Sequence, residues 1–207
     1  MKFTIEFAQD ENPESPREWD NLGTMVCWHK RYKLGDAQPK EPPEEWLESL
    51  AKEIDGSGRL EYWEGKCLDA GLGASADRAD EQYKKAVEQI LEREVIMLPL
   101  FLYDHSGITM STRPFSCPWD SGQVGYIFVT IASAREEFSW KRMSPKRRAR
   151  VEEMLTAEVK EYDKYLRGEV FGFTVQDENG DVVDSCWGFY ELTAVQEAAI
   201  DALKAAF

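Results

Sequence analysis

The sequence predicts an α+β fold: a mainly antiparallel sheet of about five to seven strands with four helices packed on it. Three observations carry this expectation. Strand-like runs come in groups separated by short polar turns, with no regular strand–helix alternation. Two long stretches, 77–94 and 145–166, repeat apolar residues at three- and four-residue spacing. The stretch Val95 to Ala132 holds the longest apolar runs, broken by turns, and reads as three strands in succession.

The elements follow in chain order. Lys2 to Ala8 alternates Phe3, Ile5 and Phe7 with polar residues, the pattern of a half-buried strand. Asp10 to Asp20 is polar and contains prolines, so it reads as a loop. Leu22 to His29 is a second strand that would put Cys27 and His29 on one face. Pro42-Pro43 opens a helix whose first turn carries Glu44 and Glu45, and Gly56 stops it. Glycines punctuate 56–76, which reads as an irregular loop with at most one short strand. Asp77 to Glu94 is an amphipathic helix with Ala79, Tyr83, Ala86, Val87, Ile90 and Leu91 on its apolar face.

In the central block, Val95 to Tyr103 reads as a strand covered on both faces. Asp104-His105-Ser106-Gly107 has turn chemistry, and Ile108 to Thr112 returns antiparallel. Pro114 to Gly122 is a loop, Val124 to Ile131 a strand, and Ala132 to Ser139 a short helix or turn. Ser144 caps a helix that begins at Pro145 and runs to Leu166, with Val151, Leu155, Val159, Tyr162 and Leu166 expected along its buried stripe. Its first turns carry Lys146, Arg147, Arg148 and Arg150, where the helix dipole disfavours cations. Glu169 to Val175 and Val182 to Tyr190 form a hairpin around Asn179-Gly180. Thr193 and Gln196 make a capping box for a last helix running to Phe207. The chain reads as a single α+β domain, 1–207, with 31–76 an irregular or helical insertion.

At 207 residues, 43% apolar and 12% aromatic, the chain holds enough core to fold without disulfides or metal. The alternating start is a strand rather than a signal peptide, and no apolar run approaches the roughly 20 residues that cross a membrane. Cys27, Cys67, Cys117 and Cys186 lie far apart and are expected as reduced, partly buried thiols in a cytoplasmic protein. The charge is uneven. Of 39 acidic and 25 basic residues, 101–150 holds 4 and 8, so the remainder carries 35 against 17. An acidic excess of this size repels nucleic acid over most of the surface. It suits either plain solvation or docking on the basic surface of another protein.

Three constellations could carry chemistry. His105 and Cys117, with Asp104 or Asp120 as orienting acid, could form a nucleophile–base pair. Asp104 and Asp120, with Glu64 or Asp184, could pair as acids or hold a divalent cation. Cys27, His29 and Cys186 are soft ligands suited to zinc, although no close-spaced knuckle is present. Each has a plainer alternative: turn aspartates bond their own backbone, and isolated cysteines pack. The basic group Lys141, Arg142, Lys146, Arg147, Arg148 and Arg150 could hold phosphate or nucleic acid, although the net charge favours a match with acids within the protein or on a partner. Gly65-Lys66 lacks the glycine frame and following Ser or Thr of a phosphate-binding loop.

The strings Asn21–His29 (NLGTMVCWH), Tyr103–Thr109 (YDHSGIT), Pro114–Gly125 (PFSCPWDSGQVG) and Ser185–Tyr190 (SCWGFY) resemble an uncharacterised family of acidic proteins found in phages and mobile genetic elements. The resemblance covers most of the chain from Asn21 onward. It implies context and transfers no catalytic residue. Small acidic proteins in that context are often inhibitors of host defence, some of them DNA mimics. The expected function is therefore an anti-defence protein that binds a host nuclease complex, such as a restriction or CRISPR effector, through acidic faces, without a cofactor. The alternative is a small hydrolytic enzyme using His105, Cys117, Asp104 and Asp120.

Overall fold

The computed structural model describes residues 2–71 and 73–205. It is an α+β protein with two antiparallel sheets. One has the strand order β1-β6-β7 and the other β2-β5-β3-β4. The strands are β1 (Thr4–Gln9), β2 (Thr24–Cys27), β3 (Val95–Asp104), β4 (Ile108–Ser111), β5 (Ser121–Thr130), β6 (Phe171–Gln176) and β7 (Val182–Phe189). The described residues form six α-helices rather than the expected four: α1 (Pro43–Ile54), α2 (Arg59–Asp69), α3 (Ala74–Glu94), α4 (Ile131–Glu137), α5 (Pro145–Leu166) and α6 (Leu192–Ala205). The end of the last helix expected at Phe207 lies outside the described residues.

By internal contacts the chain divides into two compact units. Unit 1 comprises Met1–Asn21, Phe101–Gln123 and Ala157–Phe207; unit 2 comprises Leu22–Leu100 and Val124–Thr156. No described helix is long and apolar enough to cross a membrane.

In unit 1, β6 is the middle strand of three. Its alternation puts Phe173 and Val175 on one face, where they are buried with Val195 and Ala199 of α6. Ile5 and Phe7 of β1 stand opposite Val175 and Phe173 in the ladder, and Ile5 completes the same cluster with Phe3, Phe171 and Phe189. The expected turn closes β6 onto β7. Gly180 takes φ +86°, and the Asp177 carboxylate accepts from the Asn179 and Asp181 amides at 2.8 and 3.0 Å. Those amides hold the Asp177 carboxyl below its usual range.

In unit 2, the segment expected as an irregular loop over 56–76 folds instead as α2 and the start of α3. The Asp55 carboxylate initiates α2 by accepting from the Ser57 and Leu60 amides at 3.0 and 2.9 Å. Leu60 then buries its side chain with Ala51, Tyr83, Ala86 and Ile90. That burial outweighs the cost of roughly 1 kcal/mol for Gly65 inside the helix. Across the other side of α1, Trp46 meets Trp28 and Phe128 edge-on at 5.6 and 5.3 Å.

Two glycines permit the backbone to close here. A Cβ on Gly125 would lie 2.0 Å from the Val26 carbonyl oxygen, and one on Gly23 would lie 2.4 Å from Leu155 Cδ2. Gly122, on the same strand as Gly125, has nothing within 4 Å of such a Cβ. Gly125→Ala is therefore expected to lose about 1–3 kcal/mol of stability, and Gly122→Ala less than about 0.5 kcal/mol, in matched thermal melts. Equal melting temperatures for the two variants would contradict the close approach of β2 and β5.

Candidate functional site

The turn between β3 and β4 is built by Ser106 at φ +58° and Gly107 at φ +151°, with the His105 amide donating to the Gly107 carbonyl at 3.1 Å. The turn projects His105 outward, stacked 6.0 Å from Tyr103, which also contacts Phe115 at 5.6 Å. The loop after β4 returns beneath it, because the Asp104 amide donates to the Asp120 carbonyl at 2.9 Å. The Ser121 hydroxyl donates to the Cys117 carbonyl at 2.5 Å and fixes the loop's end.

This geometry brings together three of the four candidate catalytic residues. His105 Nδ1 lies 3.3 Å from Asp120 Oδ2, and Cys117 Sγ donates to the same oxygen at 3.7 Å. Asp104 contributes its backbone at the base of the turn. The order differs from a nucleophile–base–acid relay, in which the imidazole stands between thiol and carboxylate. Here the carboxylate stands in the middle and takes both contacts. The site is also open, with the His105 side chain 63% and the Asp120 side chain 40% exposed, so it lacks the dry surroundings that strengthen catalytic charge.

The metal candidates are placed differently. Cys27 is buried at the end of β2. His29 lies beyond that strand, so the expected shared strand face with Cys27 is not formed. Its Nδ1 accepts from the Arg31 and Tyr32 amides at 3.3 and 3.1 Å, and its ring stacks on Tyr32 at 5.0 Å. Cys186 sits on β7, exposed rather than partly buried. Among the described residues no group of three or more His, Cys, Asp or Glu is arranged to hold a metal ion. Glu64 is engaged by Lys52 at 3.2 Å, and Asp184 accepts from the Ser185 amide at 2.8 Å. Gly65-Lys66 lies inside α2, a helix rather than the loop a phosphate cradle needs.

Two polar networks had no signal in the residue pattern. In unit 2, Tyr83 donates to Glu48 at 2.6 Å, and Lys52 reaches Glu48 and Glu64. Burial pushes the Tyr83 hydroxyl up to about 12, with the Glu48 charge adding to the effect. In unit 1, the Asp163 carboxylate on α5 accepts from the Met110 amide at 2.7 Å and lies 3.5 Å from Arg167. Burial raises the pKa of Asp163 despite that hydrogen bond.

The strongest polar feature is a field. Unit 1 carries 19 acidic against 7 basic residues, whereas unit 2 carries 20 against 18. From Gly168 to Leu203, which covers β6, β7 and α6 up to the residue before Lys204, there are eight carboxylates and no Lys, Arg or His. β7 is an edge strand of its sheet, and every residue of it except Phe189 is exposed, including Val182, Val183 and Trp187. Comparison of the chain with protein-family models, curated proteins and solved structures finds no match among any of them.

Burial ranks the thiols for a direct check. A thiol-labelling time course read by mass spectrometry is expected to modify Cys186 first, Cys117 and Cys67 more slowly, and Cys27 only on unfolding. Asp120→Ala should speed labelling of Cys117 alone. Unchanged Cys117 labelling in that variant would contradict the contact with Asp120.

Proposed function

We propose that this protein binds a basic surface of a host defence nuclease complex through the anionic face of unit 1. On this reading it is an anti-defence inhibitor of a phage or mobile element whose carboxylates take the place of DNA phosphates. The observation that carries the reading is the run of eight carboxylates from Glu169 to Asp201 with no cation between them. Internal pairing offsets three of the eight: Glu169 holds Arg167 and Glu191 holds Lys164, while Asp201 pairs with Lys204 at 2.8 Å. Glu178, Asp181, Asp184 and Glu197 lie exposed. Carboxylates in such density attract a cationic surface and speed its association, with a strength that falls as salt rises.

The exposed edge of β7 adds a structural component. An open strand edge offers backbone donors and acceptors to an extended segment, and Val182, Val183 and Trp187 offer apolar area beside them. Asp184 on this edge, with Glu178 and Asp181 in the turn before it, also protects it from self-association. The same charges would thus exclude other copies of this chain and admit a basic partner.

A hydrolytic role is the second reading, and the shared contact of His105 and Cys117 with Asp120 favours it. It requires His105 to leave Asp120 and take the Cys117 proton, after which Cys117 would attack the substrate.

Capture from host lysate separates the two. The tagged wild-type chain is expected to retain a stoichiometric nuclease subunit in low salt and release it in moderate salt. The E178Q/D181N/E197Q variant should bind that subunit at least about tenfold more weakly, a loss of about 1.4 kcal/mol. Equal retention by the variant, or no partner at either salt, contradicts the acidic-face reading. Hydrolysis lost in both His105→Ala and Cys117→Ser, with unchanged melting, would establish the second reading instead.

A further inference from the structure

The basic group between Lys141 and Arg150 belongs to unit 2. At least eight cations elsewhere in the chain, among them Arg17, Lys52, Lys84, Lys85, Lys164 and Arg167, hold carboxylates, and the others are spread along it. Among the described residues, no carboxylate lies within 4.0 Å of a charged nitrogen of Lys141, Arg142, Lys146, Arg147, Arg148 or Arg150. Acids are close in sequence, at Glu136, Glu137, Glu152 and Glu153, yet none of them makes such a pair. Six unpaired cations in ten residues, in a chain of net charge −14, ask for an anion from outside.

Helix geometry sorts the six. At about 100° per residue, Lys146, Arg150 and Arg147 fall within one arc of about 100° on α5, while Arg148 turns toward the side of Val151 and Leu155. Arg148 accordingly serves the fold, donating to the Val95 and Glu92 carbonyls at 3.2 and 2.9 Å. Arg147 serves the loop: its guanidinium donates to the Arg142 carbonyl at 2.6 Å and lies 4.9 Å over the Trp140 ring. Trp140 stacks on Phe138 at 4.6 Å, and Arg150 lies 5.8 Å over Phe138. This ladder of rings and guanidiniums stiffens the segment between α4 and α5. It leaves Lys141, Arg142, Lys146 and Arg150 exposed at the start of α5, where the helix dipole further favours an anion.

We propose that the exposed cations Lys141, Arg142, Lys146 and Arg150, held by the Phe138–Trp140–Arg147 stack, form a binding surface for the phosphate backbone of a nucleic acid. Phosphates arrive in a row, each with a full charge, which a row of unpaired cations matches. Arginine adds a planar fork suited to phosphate oxygens. The aromatic rings are half-buried against each other, so the patch presents no exposed apolar wedge of the kind that inserts into a lipid surface. Unit 2, which holds the patch, is close to neutral, so self-repulsion of phosphate by its own unit is small. The inference does not depend on the acidic-face reading. If both hold, the protein would engage a nucleoprotein complex on its protein and nucleic-acid components alike.

The test is fluorescence anisotropy of a labelled single strand of about 20 nucleotides, and its duplex, titrated with the purified full chain at about 50–200 mM salt. Wild type is expected to bind, with log K falling linearly in log salt. K146E/R150E should bind at least about tenfold more weakly, with a slope shallower by about one per cation removed. The milder K146Q/R150Q should fall between the two, which guards against a misfolded reversal variant. K84E/K85E makes the same charge change on α3, where the lysines are already paired, and should bind within about twofold of wild type. No salt-dependent binding by wild type, or equal weakening by K84E/K85E, would overturn the proposal. So would displacement of the oligonucleotide by polyglutamate or anionic vesicles at equal charge as readily as by unlabelled nucleic acid.

Discussion

Fourteen uncompensated negative charges have to be kept in water, and the arrangement of the chain is consistent with that constraint. Among the described residues no charged residue is buried as a whole, so the cores are built from apolar residues and tyrosines. The excess is then unequally shared, with nearly all of it in unit 1. The three-stranded sheet tolerates this because its apolar content needs only one face, the one under α6. That leaves β7, at an edge, exposed along almost its whole length, with Asp184 among its residues.

The basic segment before α5 is the counterpart in unit 2. The cations there gain nothing from the dipole of α5, and two within its first turns, Arg147 and Arg150, lie over aromatic rings instead of against carboxylates. A surface that keeps like charges together, against local electrostatics, spends stability that a pairing arrangement would have kept. An external ligand of opposite charge recovers it.

Where periodicity and turn chemistry were strong, the sequence was legible. The Asn179-Gly180 hairpin and the buried stripe of α5 at Val151, Leu155, Val159 and Tyr162 are present in the structure. The class and antiparallel pairing were legible for the same reason. α2 was hidden because Gly56, Gly58 and Gly65 read as breakers; Asp55 supplies the start of the helix, and Leu60 its anchor, through contacts made at a distance in sequence. The meeting of His105, Cys117 and Asp120 was readable only as a suggestion, since it depends on the loop folding back under the turn through Asp104. The exposure of Cys186 was not readable, because alternation marks which residues share a face and is silent on whether a strand lies at an edge.

The most direct measurement is hydrogen–deuterium exchange of the chain alone and bound to its captured partner. The account predicts that amides of β7 and α6, Val182–Phe189 and Leu192–Ala205, slow on binding. Those of α1 to α3 should keep their free rates. Unchanged exchange in β7 and α6, with protection confined to α1–α3 or to the loop carrying His105 and Cys117, would contradict the claim that the anionic unit is the binding face.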